Sequence, residues 1–170
     1  NERLLKKATE LKDSARDYIQ KKDYEGAIKI YEEALQVIHP NNFKNSQPHI
    51  MKELISLTVM LMNNLSLCYY NIGQARRTLD YADQALMIDQ KNIKASYRKA
   101  LVYKNLMNDI ERAFEFIKLA RKAAFDEKTK HDDIEREYTH IKQLYMDYKE
   151  KNKEKQKELV DPEHKVKRVL

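Results

Sequence analysis

The amino-acid sequence predicts an all-α fold made of stacked helical pairs. Its apolar residues recur every three or four positions instead of alternating, which indicates helices and disfavours a sheet. Three segments also repeat one pattern of small and apolar residues on a helix face: Ala27/Tyr31/Ala34, Thr78/Ala82/Ala85 and Ala113/Ile117/Ala120. A tyrosine precedes each set by nine or ten residues, at Tyr18, Tyr69 and Tyr103. Such helix pairs cannot bury their apolar faces alone and must stack, which predicts an α-solenoid.

The distances between the repeated sets indicate the type of repeat. Ala27 and Thr78 are 51 residues apart, and Thr78 and Ala113 are 35 apart. The tetratricopeptide repeat has a period of about 34 residues, so the first junction carries an insertion of about 17. We therefore predict a three-repeat domain over residues 1–125, with repeats at about 8–41, 59–92 and 93–125 and an insertion at 42–58.

The predicted helices follow from apolar stripes and from residues that stop helices. The first covers about 2–21, with an apolar stripe made of Leu4, Leu5, Ala8, Leu11, Ala15, Tyr18 and Ile19. Asp23 is a suitable N-cap for the second helix, which ends before Pro40. The segment Pro40–Pro48 has turn composition and predicts a loop. Further helices are expected at about 49–71, 75–88, 92–106 and 109–124.

The C-terminal part predicts one more long helix within residues 126–160. Its apolar residues follow a 4-3-4-3 spacing and are Ile134, Tyr138, Ile141, Tyr145 and Tyr148. We expect this stripe to cap the open end of the solenoid. A coiled-coil seam is an alternative, although the pattern lapses before three heptads are complete. The basic amphipathic character is also compatible with a calmodulin target, and residues 161–170 are expected to form a flexible tail.

Composition narrows the functional classes. The chain has 170 residues, a net charge of +6 and only two glycines, and no apolar run approaches a membrane span. Positive charges are interleaved with acidic ones, so nucleic-acid binding is not expected. The single Cys68 is expected to be a small buried hydrophobe. Because one cysteine cannot form an intramolecular disulfide, cytosol or nucleus is the expected compartment.

The sequence has no initiator methionine, so we expect it to be a piece of a larger protein. Nothing in the sequence requires an oligomer larger than a monomer.

No catalytic, metal or cofactor motif is apparent in the sequence. There is no glycine-rich phosphate loop and no pair of cysteines for zinc. The five histidines fall mostly in predicted loops or on charged faces: His39, His49, His131, His140 and His164. We therefore expect a binding module instead of an enzyme.

The predicted solenoid places one set of polar residues in its groove. In a tetratricopeptide solenoid the first helix of each pair lines the concave side, and residues three to five apart share a helix face. The resulting candidates for peptide binding are Lys12, Arg16, Ile19, Asn64, Leu67, Lys94, Arg98 and Leu101. Three or four cations and one carboxamide would suit a ligand with two carboxylates, such as a peptide that ends in aspartate.

Three stretches carry a specific resemblance: Lys12 to Tyr31, NNLSLCYY at 63–70 and KASYRKA at 94–100. They resemble the tetratricopeptide carboxylate-clamp domains of co-chaperones, which bind the Glu-Glu-Val-Asp C-terminus of heat-shock proteins 90 and 70. The resemblance implies that Lys12 and Asn64, together with Lys94 and Arg98, are clamp residues. Arg16 is a departure, because the family has asparagine at that position.

The long insertion and the helix after the third repeat resemble the C-terminal domain of the large FK506-binding immunophilins. The resemblance covers about Ala8 to Ala124. It implies a co-chaperone docking module, and a peptidyl-prolyl isomerase domain upstream in a larger protein. The alternative is a tetratricopeptide scaffold that recognises a different peptide or another subunit.

Overall fold

The computed structural model describes residues 1–160 and confirms the all-α fold. Over that range the chain forms seven α-helices and one short 3-10 helix, with no strand. The helices are α1 (Glu2–Gln20), α2 (Tyr24–Val37), α3 (Pro48–Asn71), α4 (Ala75–Ile88), α5 (Ile93–Asn105), α6 (Ile110–Asp126) and α7 (Asp132–Val160). The 3-10 helix covers Pro40–Phe43.

Side-chain caps determine where several helices begin. The Asp23 carboxylate accepts a hydrogen bond from the Gly26 amide at 2.9 Å, which confirms Asp23 as the N-cap of α2. Asn92 and Asp109 cap α5 and α6 in the same way. These oxygens satisfy amide groups that have no partner within the helix.

Asn108, with a φ of 52°, adopts the left-handed conformation that asparagine tolerates and turns the chain between α5 and α6.

The helices stack in chain order as a solenoid. Each helix packs against the next one, from α1 with α2 to α6 with α7. In addition, α1 contacts α3, and α3 contacts α5. The first helices of the three pairs therefore lie side by side in one layer, which is the arrangement that lines a groove.

The repeated small residues mark the closest helix contacts, as the sequence predicted. Ala27, Thr78 and Ala113, which begin the three repeated sets, all have 0% exposed surface. Ahead of the first set, a Cβ atom added to Gly26 would overlap the Tyr18 ring. Close approach between consecutive helices therefore depends on small side chains at these positions.

The insertion between the first two repeats is more ordered than the loop that the sequence predicted at Pro40–Pro48. Phe43, in the 3-10 helix, is 2% exposed and belongs to the core cluster formed by α1, α2 and α3. Ile50, Leu54 and Leu57 of α3 are buried in the same cluster. The N-terminal turns of α3, which begins at Pro48, are thus anchored against the first helical pair.

The long helix α7 caps the end of the solenoid. Its residues Ile134 and Ile141 are buried, and the Tyr145 ring stacks on Phe114 of α6 with 4.5 Å between centroids. This confirms the predicted capping helix. Tyr148 does not continue the buried stripe, since it is 36% exposed. The predicted tail at 161–170 lies outside the described residues.

The tight packing of α4 leads to a first testable prediction. Ala85 is completely buried and packs with Ala82 and with Ala95 of α5. Ala85→Arg should lower the free energy of unfolding by about 3 kcal/mol or more, because a long charged side chain must enter a filled contact. Urea denaturation followed by circular dichroism measures the change. The neighbouring exposed substitution Gln84→Arg should leave stability within about 0.5 kcal/mol of the original. A native unfolding curve for Ala85→Arg would contradict this packing.

Candidate peptide-binding groove

The inner layer of α1, α3 and α5 carries all eight residues that the sequence predicted for peptide binding. Lys12 and Arg16 are one helical turn apart on α1, and Lys94 and Arg98 are one turn apart on α5. Asn64 lies on α3, which contacts both of these helices. The fold therefore places the cationic residues on either side of a helix that carries a carboxamide.

The hydroxyl of Tyr31, a residue of α2, lies near side chains of both α1 and α3. Burial raises the pKa of Tyr31, and the neighbouring Cys68 thiol acts in the same direction. The Arg16 guanidinium and the Asn64 side chain, which lies within hydrogen-bonding reach, oppose that shift. Arg16 and Asn64 thus approach one polar atom from two different helices.

Cys68 belongs to the same junction but has no reactive character. It is completely buried, and burial raises its pKa to about 12, while the nearby Arg98 charge has the opposite effect. A thiol with such a pKa remains protonated near neutral pH and is a poor nucleophile. The prediction that Cys68 acts as a small buried hydrophobe is confirmed.

Arg98 is the most constrained cation of the groove. Its guanidinium carbon lies 5.5 Å from the centre of the Tyr70 ring, a cation–π geometry. Burial lowers its pKa, and the groups that counteract this effect are two phenol groups and a thiol, those of Tyr70, Tyr97 and Cys68, and not a carboxylate. Within residues 1–160 it makes no ion pair. Arg98 is therefore a half-buried cation that lacks an anionic partner.

Tyr70 is itself held in position by a neighbour on α5. Its hydroxyl accepts a hydrogen bond of 2.7 Å from the Asn105 side-chain amide. Because this bond connects α3 to α5, it fixes the ring on which Arg98 stacks. The Arg98 guanidinium is thus oriented by an aromatic surface before any ligand arrives.

Lys12 has a partner that the sequence did not reveal. Its ammonium group forms an ion pair of 2.8 Å with the carboxylate of Asp13. Lys12 is the main reason that the pKa of Asp13 is lowered, and Arg16 contributes to the same shift. The α1 side of the groove therefore contains a carboxylate of its own beside the two cations.

Lys94 lies at one end of the groove, where an open trough of about 640 Å³ begins. The walls of the trough come from the N-terminal half of α3, the α4–α5 turn and the segment after α6. Ile55, Met60 and Ile88 are 44–49% exposed and line it. No contact joins Lys94 directly to the Tyr31 junction, although it shares a helix face with Arg98.

The predicted apolar residues of the groove are all half-buried. Ile19 packs on the first core cluster, whereas Leu67 and Leu101 lie on α3 and α5 with part of their surface exposed. Their exposed surfaces are available to an apolar ligand side chain. The contacts of the structure do not join these three residues into one patch.

Sequence reasoning missed the residues that organise the groove. Tyr31 was predicted to be a core residue and is one, at 4% exposed, but the proximity of its hydroxyl to Asn64 and Arg16 was not foreseen. Tyr70 and Asn105 had no recognisable signal, since their bond joins two helices that are distant in sequence. Asp13 could have been found, because a carboxylate next to a predicted clamp lysine can pair with it.

Residues 1–160 contain neither a membrane-spanning helix nor a cluster of metal ligands. No helix there has both the length and the apolar character needed to cross a bilayer. No group of three or more histidine, cysteine, aspartate or glutamate side chains is arranged to hold a metal ion in that range. The calmodulin site stays a prediction, and the apolar residues Ile134 and Ile141 of that helix are already packed inside the domain.

Comparison with known proteins shows that the chain is similar to part of the inactive isomerase FKBP6. No protein-family model matches the chain. The inactive peptidyl-prolyl cis-trans isomerase FKBP6 of Equus caballus is 33% identical over 135 residues, which is 79% of this chain. The matched part is 40% of the FKBP6 sequence, so the chain spans well under half the length of this relative.

Solved structures confirm the type of fold. The C-terminal TPR-containing domain of a Plasmodium falciparum FK506-binding protein superposes with a TM-score of 0.72 at 21% identity, covering 88% of this chain and 95% of that domain. The Hsp90 co-chaperone Cns1 of Saccharomyces cerevisiae superposes with a TM-score of 0.68 at 21% identity, covering 94% of this chain and 46% of Cns1. The chain therefore has the tetratricopeptide-repeat fold, and it is similar to the repeat domains of FK506-binding proteins and co-chaperones.

Proposed function

We propose that this chain is a docking module for the C-terminal Glu-Glu-Val-Asp tails of heat-shock proteins 90 and 70. In this proposal the groove holds the tail by two carboxylates, one from the chain terminus and one from the terminal aspartate side chain. The similarity to a repeat domain of an FK506-binding protein and to the Hsp90 co-chaperone Cns1 supports a chaperone as the partner. The activity of the module is binding and not catalysis.

The main support for the proposal is that Arg98 is half-buried and has no carboxylate partner within residues 1–160. A half-buried guanidinium loses hydration, which is why its pKa is lowered, and within residues 1–160 no carboxylate compensates the loss. A ligand carboxylate would supply the missing anion and form two parallel hydrogen bonds with the planar fork. Stacking on Tyr70 keeps the fork oriented, so little ordering is needed on binding.

The other polar residues have complementary roles in the proposal. Lys12 on α1 and Lys94 on α5 act as point charges, and Asn64 donates an amide hydrogen to a ligand carboxylate. Arg16 approaches the same junction as Asn64, through Tyr31. An arginine in place of the family's asparagine adds a charge and keeps the ability to donate hydrogen bonds. The exposed surfaces of Ile19, Leu67 and Leu101 would contact the valine side of the tail.

The expected affinity is that of a transient complex. Charge-assisted hydrogen bonds contribute about 1.5–3 kcal/mol each, so four of them give at most ~10 kcal/mol before ordering costs. A disordered tail loses part of this on binding, which leaves a Kd on the order of micromolar. The cations are partly exposed to solvent, so added salt should weaken binding.

We also propose that the module belongs to a longer protein of the immunophilin type. The support is that the chain matches 40% of the length of FKBP6, which is named an inactive isomerase. The sequence upstream of Asn1 tests this directly: an isomerase-like domain there is expected. Cytosol or nucleus remains the proposed compartment, because those chaperone tails are met there.

A second candidate function is a scaffold that binds an internal peptide segment. The apolar trough next to Lys94 favours it, because a chain that continues past the groove could enter there. An internal segment has no terminal carboxylate. The two functions are therefore separated by whether binding needs a free C-terminus.

The first test is a titration with a labelled Met-Glu-Glu-Val-Asp peptide, prepared both as the free acid and as the C-terminal amide. Fluorescence anisotropy should give micromolar binding of the acid and a loss of about tenfold or more for the amide, because one charged contact is removed. Raising the salt concentration should weaken binding of the acid. Equal binding of both forms would overturn the clamp and favour the internal-peptide scaffold.

A second test removes the constrained cation. Arg98→Ala should reduce affinity for the acid peptide by about tenfold or more, since a charge-assisted hydrogen bond is worth at least ~1.5 kcal/mol. Helicity measured by circular dichroism should stay unchanged. The matched control is Arg77→Ala on α4, an exposed position outside the inner layer. Unchanged affinity of Arg98→Ala would exclude Arg98 from the clamp.

A third test concerns the internal carboxylate of Asp13. Asp13→Asn should raise affinity for the acid peptide by about 1.5- to 5-fold, because it releases Lys12 from an exposed ion pair worth about 0.2–1 kcal/mol. Asp17→Asn, on the same helix, makes the same charge change but makes no ion pair with Lys12. If both variants gained affinity equally, only the overall charge would matter and the Lys12–Asp13 contact would have no role.

A further inference from the structure

A second concave surface lies outside the groove, at the junction of the third helical pair with α7. It is a cleft of about 630 Å³, which we call the α7 cleft. One wall is the turn between α5 and α6, and the other wall is one face of α7. The residues that line it are Met107, Asn108, Asp109, Ile110, Glu111, Leu144, Asp147, Tyr148 and Lys151.

The α7 wall is a helix face that the rest of the domain covers only in part. Leu144, Asp147, Tyr148 and Lys151 follow a 3-1-3 spacing and so share one side of the helix. The buried stripe that contacts α6 consists of other residues, of which Ile141 is fully buried. Leu144 and Tyr148 remain 36–37% exposed, and Met107 on the opposite wall is 46% exposed. The cleft therefore has apolar surface on both sides.

The rim of the cleft is acidic, in contrast to the chain as a whole. Asp109, Glu111 and Asp147 contribute three carboxylates, and Lys151 contributes one ammonium group. Asp109 is engaged as the cap of α6 and pairs with Arg112. Glu111 is exposed and makes no ion pair within residues 1–160, and the Asp147 carboxylate accepts only a neutral hydrogen bond from Gln143. The complete chain carries a net charge of +6, so this acidic region is a local feature.

We infer that the α7 cleft binds a short amphipathic helix of a partner protein, with leucine-like anchors on one face and lysine or arginine around them. The apolar walls match the anchors, and the carboxylates of Glu111 and Asp147 match the basic residues. From Leu144 to Lys151 the α7 wall rises about 10 Å, which corresponds to two turns of a bound helix. The cleft therefore accommodates anchors at positions i and i+3 or i+4.

The α7 cleft is separate from the proposed clamp. None of the eight groove residues lines it. The charges also differ, because the groove presents cations and the cleft presents carboxylates. A partner could thus occupy the cleft while an acidic tail occupies the groove.

The test uses two synthetic peptides of about 15 residues, acetylated and amidated, that carry leucines on one helix face. The two peptides differ only at their charged positions, which are lysine in one peptide and glutamate in the other. Fluorescence anisotropy at low salt should show at least tenfold tighter binding of the lysine peptide. General electrostatic attraction to a chain of net charge +6 favours the glutamate peptide, so this preference isolates the cleft. Tighter binding of the glutamate peptide would overturn the inference.

Paired variants locate the binding surface. The double substitution Glu111→Lys and Asp147→Lys should weaken the lysine peptide at least tenfold. The control Glu53→Lys and Glu115→Lys makes the same charge change at exposed positions outside the cleft and should have less than a threefold effect. An equal loss in both double variants would reduce the interaction to net charge and overturn the inference.

The apolar wall is tested by a second matched pair. Leu144→Ser should weaken the lysine peptide about three- to tenfold, because it removes an anchor contact. Met146→Ser, on the same helix and 56% exposed outside the cleft, should have no effect. Circular dichroism melts of both variants should match the original. Equal effects of the two substitutions would overturn the cleft as the site.

Other occupants give different results. Truncation after Val160 could increase the affinity for the lysine peptide several-fold. That result would mean that the chain's own last residues compete for the cleft, and the inference of a partner helix would be wrong. A dimer in sedimentation that Leu144→Ser dissociates would assign the cleft to a second copy instead. Arg98→Ala should leave the lysine peptide unaffected, so this site and the clamp succeed or fail separately.

Discussion

The close contact between consecutive helices at small residues is the constraint on which the structure depends. Ala27, Thr78 and Ala113 have no exposed surface, and each begins the repeated set of its own helical pair. Because none of the pairs can bury its apolar face alone, stacking is obligatory and its direction is fixed. Stacking in turn places α1, α3 and α5 side by side, and this layer brings residues that are distant in sequence to one surface.

The same packing explains why the groove contains unusual polar groups. At the α1–α3–α5 junction, burial raises the pKa of Tyr31 and Cys68 and lowers that of Arg98, so all three are shifted towards their neutral forms. For Arg98, burial destabilises the charged form, and a bound carboxylate would stabilise that form again. In the proposed function, an anionic ligand would meet a cation that is already half-buried and oriented by Tyr70.

Much of the fold could be predicted from the sequence, because repeat spacing and capping residues are local signals. The N-cap at Asp23 and the helix bounds of α4 are examples. The structure differs where a contact joins residues far apart in sequence. Phe43 anchors a segment whose composition predicts a plain loop, and Tyr148 is exposed where the sequence predicted a continued apolar stripe. The groove residues could be placed on the right helices, but the Tyr70–Asn105 bond that orients Arg98 depends on tertiary packing.

The distribution of charge over the folded surface is the property that could be predicted least from the sequence. Acidic and basic residues alternate along the chain, and this pattern indicates only a solvated helical surface. Folding redistributes them, although each surface keeps a charge of the other sign, Asp13 in the groove and Lys151 at the cleft. Arg16 and Arg98 face the groove, whereas the acidic rim of the α7 cleft forms at the far end of the third helical pair. Because a solenoid has both an inner layer and an open end closed by α7, it offers two surfaces of opposite charge. If the groove binds an acidic tail and the α7 cleft binds a basic helix, as proposed, the two partners would not compete for one surface.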